Sequence, residues 1–203
     1  MAQKIASIVE GHGEEEAVPI LIRRIAAEVD PALDLDVIRP LRVPRYKLVL
    51  PGECERAVEF AARKAGVGGG LLILVDAEDE CPASLGPELL KRAQVARGSY
   101  PLAVVLAKHE FESWFIASAE SLRGRRGLAD DLSPPEEPER IRGAKEWLDE
   151  HMSHGNKYRV TLDQPALTAV FDFDKAKHAN SFDKCYREIK RLLETIKRRA
   201  SKA

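Results

Sequence analysis

Four short apolar runs are spaced along the chain, and they predict buried β-strands. They cover residues 4–9, 36–41, 71–75 and 102–107. The third run, LLILV, is apolar at every position, which is typical of a parallel strand covered on both faces. Because proline has no N–H to donate, Pro40 restricts the second run to a sheet edge or to a short strand.

Apolar residues at helical spacing follow these runs. They predict helices over residues 14–29, 53–65 and 85–97, and a further helix that begins within 111–118. Alternating strands and helices are typical of a doubly wound α/β domain. We therefore expect a Rossmann-like α/β fold in residues 1–118, with a mostly parallel four-stranded sheet flanked by helices.

The remaining residues, 119–203, differ in composition. Residues 119–160 are rich in Arg, Gly, Pro and Glu, which predicts an exposed insertion with one helix near 139–151. A long amphipathic helix follows, and Ser181 is its expected N-cap. We expect it to form a helical C-terminal extension packed on the core, and its apolar stripe would also suit a homodimer.

The formal net charge of the 203-residue chain is −1. A balance so close to neutral gives no global attraction to nucleic acid. Basic residues nevertheless cluster locally, and such clusters are candidates for contact with a phosphate backbone. They are Arg123, Arg125 and Arg126, then Lys157 and Arg159, and then several residues of 190–202.

Cysteine usage and hydropathy bear on the compartment. The three cysteines, Cys54, Cys81 and Cys185, are odd in number and lack CxxC spacing. This argues against a disulfide framework or a zinc site and is typical of a reducing cytoplasm. No apolar run reaches membrane-spanning length, and no signal peptide is recognisable. We therefore expect a cytoplasmic protein with no membrane partner.

Acidic side chains follow three of the predicted strands. Glu10 comes directly after the first, Asp76 and Glu78 after the third, and Glu110 and Glu112 after the fourth. In parallel α/β sheets, ligands bind outside the carboxyl ends of the strands. Carboxylates that converge there raise each other's pKa unless a cation lies between them. Hard oxygen ligands in an open site suit Mg²⁺ or Mn²⁺.

Neighbouring charged and aromatic residues have simpler interpretations. We expect residues 14–16, three glutamates, to form a solvated first helical turn, where acids favour the helix dipole. Asp79 and Glu80 are expected to be solvated in a loop. Trp114 and Phe115 are expected in the core because large aromatic side chains are usually buried.

The stretches "IVEGHGEE", "LILVDAED" and "LAKHEFESWFIA" carry a family resemblance. Together with a late segment containing K-Y, D-Q and S-F pairs, they resemble an uncharacterised bacterial TOPRIM-like family. That family is related to the TOPRIM domain of the overcoming-lysogenization-defect (OLD) nucleases. The resemblance implies a TOPRIM-like core over residues 1–118.

The resemblance also implies roles for the acidic residues. Glu10 takes the place of the first-strand glutamate, as general acid/base or metal ligand. Asp76 and Glu78 take the place of a D-x-D motif, although a glutamate stands at its second position and Asp79 is an alternative. Glu110 and Glu112 match an E-x-E motif, and we favour Glu110 because it is nearer the strand end.

These residues predict a metal-dependent, phosphodiester-acting protein, with nuclease as the leading hypothesis. A metal ion at such a site activates water and neutralises charge in the transition state. Lys157, in the late segment, is a candidate catalytic residue that would neutralise the scissile phosphate. Two alternatives remain open. One is a non-catalytic partner of a separate ATPase or nucleic-acid complex in defence or repair, and the other is a small-molecule phosphatase.

Overall fold

A parallel sheet of five strands organises the chain in the computed structural model, which describes residues 2–153 and 155–201. The strand order is β2-β1-β4-β5, with β3 also paired to β1. Each of these pairings is parallel. The expected α/β class with a mostly parallel, Rossmann-like sheet is therefore confirmed. The strands are β1 (Gln3–Val9), β2 (Leu35–Val37), β3 (Leu41–Arg42), β4 (Gly70–Asp76) and β5 (Leu102–Ala107).

The prediction of four strands was wrong by one, because the second apolar run is divided. Its halves, β2 and β3, both pair with β1. The backbone N–H of Ile38 still donates to the carbonyl of Ile5 at 2.9 Å, and the ladder then breaks before Pro40. Since Pro40 has no N–H, the run cannot continue as one hydrogen-bonded strand.

Helices flank the sheet, and most lie close to their predicted positions. The helix predicted over 53–65 has those bounds, and the one predicted over 85–97 begins three residues earlier, at Pro82. Proline is favoured in a first helical turn because no N–H is needed there. Two helices after residue 159 had not been predicted. The helices are α1 (His12–Val29), α2 (Arg45–Leu48), α3 (Glu53–Ala65), α4 (Pro82–Ala96), α5 (Ser113–Ala117), α6 (Ala144–Glu150), α7 (Val160–Thr168), α8 (Phe173–Ala176) and α9 (Asn180–Ala200).

Side chains of β4 alternate between the two faces of the sheet, and both faces are covered. Leu72 and Leu74 pack in a core with α1 and α9. Leu71, Ile73 and Val75 pack on the other face in a core with α3 and α4. Burial on both faces explains why this run lacks the polar alternation of a half-exposed strand.

The C-terminal helix α9 is part of the first of these cores. Its apolar stripe is buried within the chain, with Phe182, Ile189, Leu193 and Ile196 each 0% exposed. The stripe therefore offers no physical basis for the homodimer that it had suggested. Residues after 118 consequently share a hydrophobic core with the predicted 1–118 unit.

The start of α9 differs from the prediction. The N-cap position is Ala179, and Ser181 lies inside the first turn. The carboxylate of Glu139 accepts the backbone N–H groups of Asn180 and Ser181, each at 2.9 Å, and thus performs the capping. The Ser181 hydroxyl instead accepts a hydrogen bond from Trp114 Nε1 at 2.8 Å.

Two further findings concern the cysteines and the hydropathy of the helices. Cys54, Cys81 and Cys185 are free thiols. In the part of the chain that the structure describes, no helix combines the length and apolarity needed to cross a bilayer.

Candidate metal centre

Three strands bring carboxylates to one edge of the sheet, as the sequence predicts. Glu10 follows β1, Asp76 is the last residue of β4, and Glu110 and Glu112 lie between β5 and α5. Backbone bonds hold the last two strands in register, since Ala77 N donates to the Ala107 carbonyl at 2.8 Å. We call Glu10, Glu14, Asp76, Glu110 and Glu112 the acidic cluster.

Asp76 is at the centre of this cluster. Its Oδ1 accepts the backbone N–H of Phe111 at 2.9 Å, which ties the end of β4 to the turn after β5. Burial raises the pKa of Asp76 well above its ordinary value. The charges of Glu14, Glu112 and Glu10 raise the pKa of Asp76 further, and Lys145 opposes them.

Glu10 has one carboxylate oxygen without a partner. Its Oε2 is buried and makes no hydrogen bond. Burial raises the pKa of Glu10, and the charge of Glu78 adds to that effect, although backbone N–H groups of Arg45 and Asp76 favour the ionised form. Glu10 is therefore held as an under-solvated acid at the end of a buried strand.

Glu14 belongs to the cluster, against the expectation that it is solvated. It is only 6% exposed, and its Oε2 has no hydrogen-bond partner. Position 14 lies on the same helical stripe as Val18, Leu21 and Ile25, a signal that could have identified it. The expectation holds for Glu16, which is exposed.

Glu112 is fully buried and is held by a tyrosine. The Tyr158 hydroxyl donates to Glu112 Oε1 at 3.0 Å, while Oε2 accepts no hydrogen bond. Burial raises the pKa of Glu112 to about 7; Lys145 opposes that rise and Glu14 adds to it. Burial also raises the pKa of Tyr158 above its usual range, and contact with Glu112 reinforces the rise.

Lys145 supplies a positive charge inside the cluster, and its role had not been predicted. Its Nζ lies 2.8 Å from Glu110 Oε1 and 3.7 Å from Glu112 Oε2. Glu110 Oε2 also accepts the backbone N–H of Ala144 at 2.7 Å, at the start of α6. Burial lowers the pKa of Lys145, but Glu112 and Glu110 raise it above its ordinary value.

The pKa values of Glu110 and Glu112 are therefore shifted in opposite directions. Burial acts to raise the pKa of Glu110, but the Lys145 ammonium outweighs it and the pKa lies below its ordinary value. Both residues precede α5, so their side chains are not forced onto different faces as they would be at positions i and i+2 of a helix. Because its oxygens are already bonded, Glu110 has weaker support as a metal ligand than Glu112, the reverse of our preference.

Glu78, the second acid of the D-x-D position, is turned outward. Its backbone has a left-handed φ of 50°, and its Oε2 accepts from Arg45 Nη1 at 3.0 Å. With its side chain 59% exposed, it has weaker support as a ligand than the buried acids. The alternative, Asp79, is 77% exposed and paired with Arg142.

Lys157 also lies outside the acidic cluster. Its Nζ donates to Asp149 Oδ2 at 2.7 Å, and the side chain is 77% exposed. The lysine that contacts the carboxylates is Lys145. The contacts of Lys157 therefore give no support to its predicted catalytic role.

The donor chemistry of the cluster suits a hard divalent cation. Among residues 2–153 and 155–201, no three Asp, Glu, His or Cys side chains are already arranged around one metal position. Buried carboxylate oxygens without partners are nevertheless concentrated here, on Glu10, Glu14 and Glu112. A buried acceptor without a partner costs about 1–3 kcal/mol, more when charged. A Mg²⁺ or Mn²⁺ ion would satisfy these oxygens.

The raised pKa of Glu112 predicts a pH-dependent stability in the metal-free protein. Its ordinary pKa is 4.5, and burial raises the pKa to about 7. Neutral Glu112 thus contributes stability fully below about pH 4.5, and that stability is lost as the pH rises through about 7. We expect Glu112→Gln, which stays neutral, to remove up to about 3 kcal/mol of that pH dependence.

Urea unfolding at pH 5 and pH 8, in the presence of EDTA, measures this effect. Wild type should lose more stability than Glu112→Gln between the two pH values. Equal losses would contradict a buried Glu112 whose pKa is raised. The glutamine can still accept the hydrogen bond from Tyr158, so the comparison isolates the charge.

The turn between β1 and α1 requires glycine for close packing. Neither Gly11 nor Gly13 has a positive φ, so this turn does not depend on glycine's backbone freedom. A Cβ at Gly13 would lie 1.8 Å from Gln164 Oε1 and 2.7 Å from Val160 Cγ1. The glycine thus allows α7 to pack directly against the start of α1.

We expect Gly13→Ala to destabilise the protein by about 1–3 kcal/mol, because α1 and α7 must separate to admit the methyl group. Thermal unfolding measures the loss, and Gly68→Ala is the matched control because nothing lies within 4 Å of its added Cβ. Similar melting temperatures for the two variants would contradict the close approach at Gly13.

Comparison with known proteins adds a family but no activity. The family described as "Domain of unknown function (DUF4276)" matches residues 9–196. The matched range begins at the end of β1 and ends within α9, so it includes the whole acidic cluster. No curated protein and no solved structure matches the chain.

Proposed function

We propose that this chain, which belongs to the DUF4276 family, is a Mg²⁺- or Mn²⁺-dependent phosphodiester-cleaving enzyme, a nuclease of the TOPRIM type. One observation carries the proposal: buried carboxylate oxygens of Glu10, Glu14 and Glu112 accept no hydrogen bond, and the charges of these residues act on Asp76 at the carboxyl end of a parallel sheet. Such an edge is where α/β folds bind ligands.

Four residues of the acidic cluster are candidate ligands in this proposal. Glu10, Glu14, Asp76 and Glu112 would hold the ion, which supplies an activated water and charge neutralisation for a phosphate. Tyr158 fixes the orientation of Glu112 through its hydroxyl. Alternatively, Glu10 would act beside the ion as a general base, because its Oε2 accepts no hydrogen bond and could take up a proton from an attacking water.

Lys145 favours a second candidate function, that of a non-catalytic partner. Its ammonium already neutralises part of the charge on Glu110 and Glu112 without an ion. In that case the acidic cluster is a structural feature, and the chain would assist a separate ATPase or nucleic-acid complex in defence or repair.

Cleavage of supercoiled plasmid distinguishes the two functions. We expect purified wild type to nick the plasmid with Mn²⁺ or Mg²⁺ present, and to lose that activity in EDTA. Absence of nicking with either ion would favour the non-catalytic function. Nicking that persists in EDTA would contradict metal dependence.

A further inference from the structure

Two basic segments that are distant in sequence, residues 125–127 and 157–159, lie close together on one side of Tyr158. Backbone bonds join their loops, because Ser153 N donates to the Gly127 carbonyl at 2.7 Å and Ala129 N donates to the His151 carbonyl at 2.9 Å. They enclose a cleft of about 300 Å³. We call this the basic cleft, and its polar lining residues are Arg126, Asn156, Lys157, Arg159 and Asp163.

A buried aspartate fixes the two arginines of the basic cleft. Asp163 is 1% exposed. Its Oδ1 accepts from Nε and Nη2 of Arg126 at 3.1 and 2.9 Å, and its Oδ2 accepts the backbone N–H of Arg159 at 2.8 Å. Since a guanidinium has five N–H donors, Arg126 keeps donors available while its position is set. Its side chain is 44% exposed.

Two consecutive residues beside the basic cleft, Arg126 and Gly127, have positive φ angles. Arg126 adopts a left-handed φ of 55°, which is uncommon for a residue with a side chain. Next to it, Gly127 has a φ of 89°, and a Cβ there would lie 2.8 Å from Asn156 Nδ2. Strained positions of this kind persist where surrounding structure enforces them, and they cluster at functional sites.

Positive charge exceeds negative charge around the cleft. Arg126, Lys157 and Arg159 line it and carry three positive charges. Asp149 and Asp163 are the carboxylates paired with these three side chains. The local excess is therefore one positive charge, although the whole chain has a net charge of −1.

The basic cleft and the acidic cluster are on opposite sides of one short segment. Lys157 and Arg159 are exposed, and Tyr158 between them is partly buried with its hydroxyl on Glu112. Lys157 pairs with Asp149 and does not contact the acidic cluster. It lines the basic cleft, which is the neighbouring site.

We propose that the basic cleft binds phosphate groups of a polynucleotide backbone at a position flanking the acidic cluster. Guanidinium and ammonium groups are the usual phosphate ligands in proteins. A small phosphodiester would need only the acidic cluster, whereas a polynucleotide extends beyond it and can occupy both sites. The inference rests on the proposed function for the reaction itself, but binding is measurable without cleavage.

The test uses a short fluorescein-labelled DNA duplex and fluorescence anisotropy, in EDTA so that metal-dependent cleavage cannot occur. We expect Lys157→Gln/Arg159→Gln to weaken duplex binding and to reduce the slope of log K against log salt by about 1.8, or 0.9 per lost phosphate contact. Between 50 and 200 mM salt, the wild-type advantage in affinity should then shrink about tenfold.

Arg56→Gln/Arg63→Gln on α3 is the matched control. Both arginines are 75% exposed and paired with one glutamate each, so the control removes the same charge elsewhere. The inference is overturned if the cleft variant binds with the wild-type affinity and salt slope, or if the control loses as much. It is also overturned if wild type does not bind the duplex, or if polyglutamate displaces the duplex as well as unlabelled DNA does. Duplex binding that depends on the cleft, without metal-dependent cleavage, would instead disprove the proposed function alone.

Discussion

Asp76→Asn is expected to lose metal-dependent plasmid cleavage by at least about 100-fold, because losing a proposed ligand should cost no less than losing a residue that only supports one. The substitution removes one carboxylate from the centre of the acidic cluster, where Glu10, Glu14 and Glu112 have buried oxygens that accept no hydrogen bond. Its amide oxygen can still accept the backbone N–H of Phe111, so the turn after β5 keeps its anchor.

The unfolding temperature of Asp76→Asn is a second measurement, independent of its cleavage activity. Burial and neighbouring acids raise the pKa of Asp76, so ionised Asp76 is unfavourable in the metal-free fold. In EDTA at neutral pH, Asp76→Asn should therefore unfold at the same temperature as wild type or at a higher one. Loss of cleavage together with retained stability separates a functional effect from misfolding.

Asp79→Asn is the matched control, with the same chemical change three residues further along. Asp79 is 77% exposed and lies outside the acidic cluster, paired with Arg142. It should cleave plasmid at the wild-type rate. Equal cleavage by wild type and Asp76→Asn would show that the acidic cluster is not the reaction site.

Lys145→Met is expected to cause the largest loss of stability. The substitution leaves Glu112, which is 0% exposed, and Glu110 without their cation. Removing one partner of a buried ion pair costs about 3–5 kcal/mol, and partial exposure of Lys145 reduces our expectation to about 2–3 kcal/mol at pH 8. For a domain of this size, the melting temperature should fall by roughly 5–10 °C.

Two comparisons test the reason for that loss. Lys157→Met removes an exposed lysine from its pair with Asp149 and should leave the melting temperature close to that of wild type. Millimolar Mg²⁺ should stabilise Lys145→Met more than wild type, because the ion would replace the missing positive charge. Equal destabilisation by the two substitutions would contradict an internal role for Lys145.

The positions of Glu10 and Asp76 were predictable because they depend on a general property of the fold. Buried parallel strands are recognisable from their apolar runs, and their carboxyl ends meet at one edge. The burial of Trp114 and Phe115 followed from their residue type, and both are 0% exposed. These predictions needed only local sequence and the order of the elements.

The remaining parts of the site depend on contacts between distant segments. Glu14 had been assigned to a solvated turn, because the charge run 14–16 concealed its place on the apolar stripe of α1. Lys145 reaches Glu110 from α6, and Tyr158 reaches Glu112 across 46 residues. Periodicity cannot specify such pairings, since they are set by how the segment after residue 118 folds back on the sheet.

Binding of a divalent cation by the acidic cluster can be measured by anomalous diffraction from crystals of wild type soaked in Mn²⁺. We expect a manganese peak in contact with carboxylate oxygens of Asp76 and Glu10, and no such peak in crystals of Asp76→Asn. Absence of manganese from the wild-type cluster, or a peak bound only by other residues, would contradict cation binding at this site.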